Sequence, residues 1–220
     1  MKNKPYVTYT IFGITTAVFL IQFLIPYDSV ERLLGMSSLS IAYGHQYWRF
    51  ITPIFIHFGL MHFAFNMVVL YFMGQQCEAI FGHWRFAIVY LLSGITGSVA
   101  GFAFNQPNVL SGGASGAIFG IFGGFLMIGL HYRDNYAMRA LTRQFTIFIL
   151  LNLVFNLFDT SIDIWGHIGG LVGGGLLGAI VGIPGAKDRF SVRTRVVSAI
   201  LLIFFTVICI LIGLRKVGLA

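Results

Sequence analysis

A chain of 220 residues with 57% hydrophobic and only 10% charged side chains lies far from a soluble domain, where roughly a quarter of residues are charged. That composition excludes an ordinary water-soluble enzyme and makes an all-α polytopic membrane protein the expected class. The net charge of +7 would suit nucleic acid only with the basic residues gathered on one soluble face among aromatics; they are dealt out to alternate loops, so no nucleic-acid partner is expected.

A bilayer core of about 30 Å takes roughly 20 apolar residues per helix. In chain order, seven runs qualify: 7–26, 55–77, 84–104, 113–132, 145–158, 163–183 and 194–214. The first is too long for a signal peptide and lacks a small-residue cleavage site, which predicts a retained span. From Tyr27 to about Pro53 the chain mixes charge with Tyr43, Tyr47 and Trp48, as suits an external loop lying in the interface. The second run opens in the mixed stretch WRFITPIFIHFGLMHF, where Pro53 predicts that the helix proper starts after it. The fifth run is short for a span. No loop is long enough to hold another core, so residues 1–220 are expected to form one membrane domain. A six-helix core over about 7–183 would be followed by an additional helix at 194–214.

An amino terminus in the cytoplasm would place Lys2, Lys4, Arg85, Arg133, Arg139, Arg143, Lys187, Arg189, Arg193 and Arg195 inside, ten of the fourteen basic residues. The charge is then a topology signal, and the expected location is the cell membrane in multi-pass form. Cys77 and Cys209 sit near membrane boundaries in different spans and suggest neither a disulfide framework nor a thiolate metal site.

Against this background the stretch SGGASGAIFG at 111–120 stands out, because it puts a hydroxyl among glycines where a long apolar run begins. In the expected topology this run enters from outside, which places Ser115 about one turn below the outer boundary. The amides of Ser115 and Gly116 belong to the first helical turn and have no intrahelical acceptor; free donors beside a hydroxyl are what a tetrahedral oxyanion needs. A base must come from elsewhere in the same layer. The sixth run also enters from outside and opens DIWGHIGGLVGGGLLGAI, putting His167 at a comparable depth. Glycines 166, 170, 174, 178 and 182 make a bare stripe beside it that a neighbouring helix can approach closely. With Gly113, Gly116 and Gly120 on the facing helix, Ser115 and His167 would form a Ser–His dyad within the membrane. In HFGLMHFAFN, His62 and Asn66 are four apart on one helical face, and His57 falls at or before the helix start. His62 and Asn66 are candidate oxyanion donors alongside the Ser115 amide. Glycine-flanked serines and single polar residues in spans also serve as packing and helix-to-helix contacts. The shared depth of Ser115, His167, His62 and Asn66 favours a site.

In these motifs the sequence resembles the rhomboid intramembrane serine proteases, over about residues 45–183. The resemblance rests on Trp48 and Arg49, on HFGLMHFAFN, on Gly113, Ser115 and Gly116 as a GxSG motif, and on GHIGG, which spans His167 and Gly170. It implies a six-helix core with a water-filled cavity open to the outside, Ser115 as nucleophile, His167 as base, and His62, Asn66 and the Ser115 amide as the oxyanion site. It further implies structural roles for Trp48 and Arg49 in the first external loop, for a buried His57, and for Glu78 in tying helices together. An aromatic residue four after the serine is expected to stack on the histidine; here it is Phe119, which lacks the hydroxyl often found there, and Gly166 replaces a common alanine. Asp163, four before His167, is assigned no role.

The expected function is therefore an intramembrane serine endopeptidase acting on transmembrane segments of other proteins, with the lipid bilayer as surroundings and no cofactor. One alternative is an inactive rhomboid-like protein that binds transmembrane helices, but such proteins typically lack the serine or the histidine. Another is a transporter or channel, which would require polar groups through the inner leaflet, where this chain is mostly apolar. A zinc site from His57, His62 and His167 has enough imidazoles but no HExxH motif and no use for the serine, so no metal is expected.

Overall fold

In hydrocarbon every backbone amide needs an internal partner, so an apolar chain that crosses a bilayer does so as helices or as a closed barrel. The computed structural model describes residues 4–25, 28–156, 163–186 and 189–219, and its apolar runs are helical. Lys2, Tyr27, Asp159 and Lys187 lie outside the described residues, as do positions 26, 157 and 158 at the ends of two predicted runs.

The first helix, α1, covers Tyr6–Leu24. The segment after it folds into α2 (Ser29–Leu34), a short strand β1 (Met36–Ser37), α3 (Ser38–Ala42) and two 3-10 turns at Tyr47–Phe50 and Thr52–Phe55. After Pro53 the chain turns at Gly59, whose φ of 95° favours glycine. It then enters α4 (Leu60–Val69), which runs without a break through a π-helical turn at Leu70–Gly74 into α5 (Gln75–Phe81). Next come α6 (His83–Phe104), the strand β2 (Leu110–Ser111) and α7 (Ser115–His131). The last three helices are α8 (Tyr136–Asn156), α9 (Ile164–Val181) and α10 (Val192–Lys216). By length and composition alone, α1, α6, α9 and α10 are each able to cross a membrane, and α7 is a shorter apolar helix. The result is an all-α multi-pass membrane fold in which the strands among the described residues are one antiparallel pair, Met36 opposite Ser111 and Ser37 opposite Leu110.

The helix α7 sits at the centre, packed against α6 and α9. Glycines set the spacing: a Cβ on Gly170, Gly174 or Gly178 would run into the backbone of Gly116, Gly120 or Gly124 respectively. Four of the five stripe glycines thus lie within α9 and the fifth, Gly182, ends it with φ 59°. Because backbone faces backbone at Gly174, a side chain there has nowhere to go. Gly174→Val is expected to cost at least the usual 1–3 kcal/mol of overpacking, about, read as a lowered midpoint of thermal unfolding in detergent. Unchanged stability would mean that the two helices are not in contact there.

On the other side of α7, Phe122 and Phe125 meet Phe145 of α8 at centroid distances of 5.3 and 4.5 Å. The last helix, α10, lies on α6 and α9, with Gly213 accommodating the ring of Phe102. Lys216 Nζ donates to the carbonyls of Phe102 and Asn105 at 2.6 and 2.5 Å, satisfying the carboxyl end of α6 with a cation. At the far end, Glu78 accepts from the amides of Val7 and Thr8 and the hydroxyl of Thr8 at 3.0, 2.7 and 2.6 Å, and pairs with His83 Nδ1 at 2.5 Å. One carboxylate so joins α1, α5 and α6.

Candidate active site

Ser115 is the first residue of α7. The turn before it depends on Gly113, whose φ of 140° is closed to most side chains and whose amide donates to Pro53 O at 2.8 Å. A Cβ at Gly113 would also come within 2.7 Å of His62 Nε2, so glycine there lets the His62 ring approach the serine turn. Helix geometry leaves the Ser115 and Gly116 amides without intrahelical acceptors.

His167 lies in the first turn of α9, 6% exposed. Its Nε2 is 2.7 Å from Ser115 Oγ, a distance at which the hydroxyl donates to a neutral imidazole. Phe119, one turn into α7, stacks on the imidazole at 4.4 Å between centroids and 8° between planes, which fixes the ring plane. Close backbone approach makes this possible: Gly116 and Gly97 both face the carbonyl of Gly166, and Gly170 faces that of Gly116.

His57 and His62 meet edge to face at 5.0 Å. The backbone of His57 is held at both ends by Gln22, which accepts from its amide at 3.0 Å and donates to its carbonyl at 2.9 Å. Its Nε2 accepts from the Ala114 amide at 3.4 Å, so His57 supports the turn that carries Ser115. Asn66 is 3% exposed and donates from Nδ2 to His62 O at 3.0 Å; the same nitrogen keeps a second N–H. Trp48 donates from Nε1 to Leu33 O at 3.2 Å, and Arg49, 4% exposed, donates to Gly35 O, Arg32 O and Gln46 Oε1 at 2.5, 2.6 and 2.6 Å. These two residues fasten the loop from Arg32 to Gln46. Glu78 sits at the other end of its helix and has no part in this cluster. His57, His62 and His167 do not converge as ligands, and no group of three His, Cys, Asp or Glu side chains among the described residues could hold a metal ion.

One residue the motifs leave without a role has a clear place. Asp163 is the N-cap of α9: its Oδ1 accepts from the Gly166 amide at 2.8 Å while its Oδ2 accepts from Ser111 Oγ at 2.8 Å. It latches β2, four residues before Ser115, to the helix that carries His167. An aspartate directly before an apolar run is a recognisable cap signal; its partner Ser111 is 52 residues away and has no local signature. A cavity of about 30 Å³, bordered by Ser115, His167, Ser111, Asp163 and Ser98, lies against the pair and is roomy enough for about one water molecule.

Comparison with known proteins agrees with this architecture. A family model described as the Rhomboid domain matches residues 44–184. The chain is 36% identical to the Rhomboid protease GluP of Bacillus subtilis (strain 168), over 98% of this chain and 42% of that protein. It is 34% identical to RHOMBOID-like protein 1 of Arabidopsis thaliana, over 76% of this chain and 43% of that one. With the Putative rhomboid protease YdcA of Bacillus subtilis (strain 168) it shares 31% identity over 80% of this chain and 88% of its relative. The chain thus spans less than half the length of the first two. A central glycine-packed helix trio, a serine on one member facing a histidine on another, and matches that cover most of the chain lead to one assignment: this multi-pass membrane protein belongs to the rhomboid family.

Proposed function

We propose that the chain is an intramembrane serine endopeptidase that cuts transmembrane segments of other membrane proteins, with Ser115 as nucleophile and His167 as general base. The observation that carries the reading is the 2.7 Å approach of Ser115 Oγ to His167 Nε2, between the first turns of two helices locked together by glycines. In the reaction His167 Nε2 takes the hydroxyl proton as Oγ attacks the scissile carbonyl, then passes it to the leaving amine. The developing oxyanion is met by the Ser115 amide, His62 and the second N–H of Asn66. Water then attacks the acyl-enzyme with His167 again as base. Phe119 keeps the imidazole in plane for both transfers. The distribution of basic residues supports a cytoplasmic amino terminus and a site open to the extracytoplasmic side.

A fluorophosphonate probe tests the chemistry, since it phosphonylates only an activated serine. The reading predicts one adduct, on Ser115, that is absent from Ser115→Ala and strongly reduced in His167→Ala. An adduct elsewhere, or undiminished labelling without His167, would overturn it.

The Asp163 latch belongs to the same reading as a positioning device. Asp163→Ala is expected to lower kcat by up to about 10², because a displacement on the order of 1 Å is enough to do so, with a smaller effect on KM. Asp163→Asn keeps an acceptor for Gly166 and a partner for Ser111, so it should retain most activity. Equal losses in the two variants would show that charge, and not geometry, is what Asp163 supplies.

A further inference from the structure

Most cations whose partners can be traced are engaged with backbone carbonyls. Arg85 and Arg195 donate to Val181 O and Ile180 O at 3.0 and 2.9 Å at the end of α9, Lys216 caps α6 and Arg49 holds the loop from Arg32 to Gln46. Arg133, Arg139 and Arg143 do nothing of the kind. Their guanidiniums make no hydrogen bond among the described residues, that of Arg139 lying over the Tyr136 ring at 5.8 Å, and the one ion pair among the described residues is His83 with Glu78. Instead all three line a cavity of about 330 Å³ between the end of α7 and the start of α8, together with Leu130, Thr142 and Ile147.

Several observations say what this cavity takes. The hydroxyls of Thr142 and Thr146 already donate to Met138 O and Thr142 O at 2.8 Å each. The Asn135 side chain caps Met138 N at 3.0 Å, so recognition falls to the guanidiniums. Three arginines bordering one mostly apolar cavity set cationic charge beside a greasy wall, which is what a phosphate carrying an acyl chain requires. The cavity also lies at the end of α7 opposite Ser115, about 20 Å away at 1.5 Å per residue, and so on the opposite side of the helical bundle. From its mouth an apolar strip runs along α8: Ile147, Leu150, Leu151 and Val154, spaced as one helical face and 48%, 57%, 53% and 50% exposed. A free anion has no use for that strip, whereas a lipid tail does.

We propose that Arg133, Arg139 and Arg143 form a binding site for the phosphate headgroup of an anionic phospholipid, whose acyl chain lies along Ile147, Leu150, Leu151 and Val154. The site is independent of the catalytic reading and depends only on the chain spanning a bilayer.

The test uses the full chain in nanodiscs of phosphatidylcholine, with or without about a fifth phosphatidylglycerol, and native mass spectrometry of the lipid that stays bound. Phosphatidylglycerol should be retained in preference to phosphatidylcholine. At about fivefold per arginine near the surface, replacing all three by Gln should weaken retention on the order of a hundredfold. Arg193→Gln, outside the cavity, should leave it unchanged. If the triple variant does not fold, Arg139→Gln and Arg143→Gln singly should each lose about fivefold. Full retention by the variants that fold, or an equal loss in Arg193→Gln, would overturn the proposal. So would displacement of the lipid by millimolar inorganic phosphate, which would assign the site to a free anion.

Discussion

Ser115→Ala and His167→Ala should each remove nearly all cleavage of a transmembrane substrate, and the double variant should be scarcely worse than either. Groups that act as one unit are non-additive: once the nucleophile has no base, or the base no nucleophile, the second deletion has nothing left to remove. Their 2.7 Å separation across two helices is the physical basis for treating them as a unit. Single-turnover rates in detergent would measure this, with thermal unfolding checked in parallel. Substitution at His62 or Asn66 removes one donor among several and should cost up to about 10²–10³ in rate. Asn66 has the added burden of its bond to His62 O, so Asn66→Ala is expected to lower stability as well. Independent, multiplicative losses for Ser115 and His167 would speak against a dyad.

The second large effect lies on the substrate. A scissile carbonyl in an intact helix is engaged by the amide four residues on, so the proposed attack by Ser115 needs a locally unwound segment. Gly and Pro in a helix interior disfavour it by about 1 and 3 kcal/mol relative to Ala. Rewriting a Gly-Pro pair near the cut as Leu-Leu should therefore slow cleavage by on the order of 10²–10³, since each 1.4 kcal/mol is about a factor of ten. The comparison is of initial rates for the two substrates in one detergent. Equal rates would place the selective step elsewhere.

The glycine stripe was legible in the sequence because its spacing of four residues is also the spacing of a helix face, and Gly170, Gly174 and Gly178 do pack on α7. Helix ends were less so. The fifth run is expected at 145–158, yet α8 begins at Tyr136. Hydropathy detects only the part of a helix at bilayer depth, and the turns around Arg139 and Arg143 are polar while remaining helical. The same bias hid the arginine cavity, which those turns build. For the run at 55–77, Pro53 placed the start correctly beyond itself, but the helix begins only at Leu60 and continues through a π-turn to Phe81. A π-turn has no residue signature that would announce it. The pairing of Met36 and Ser37 with Ser111 and Leu110 and the bond from the Ala114 amide to His57 join distant segments. Neither leaves a periodic trace. Gln22, which holds His57 at both ends, reads in the sequence as one more residue of an apolar run.

The most direct test of the account is to place the purified chain in proteoliposomes with a single-span substrate and identify the products by mass spectrometry. The account predicts two fragments whose new termini lie within the span or at its outer edge, formed by the parent chain and absent with Ser115→Ala. Cleavage that persists in Ser115→Ala, or an intact substrate with a folded parent chain, would contradict it.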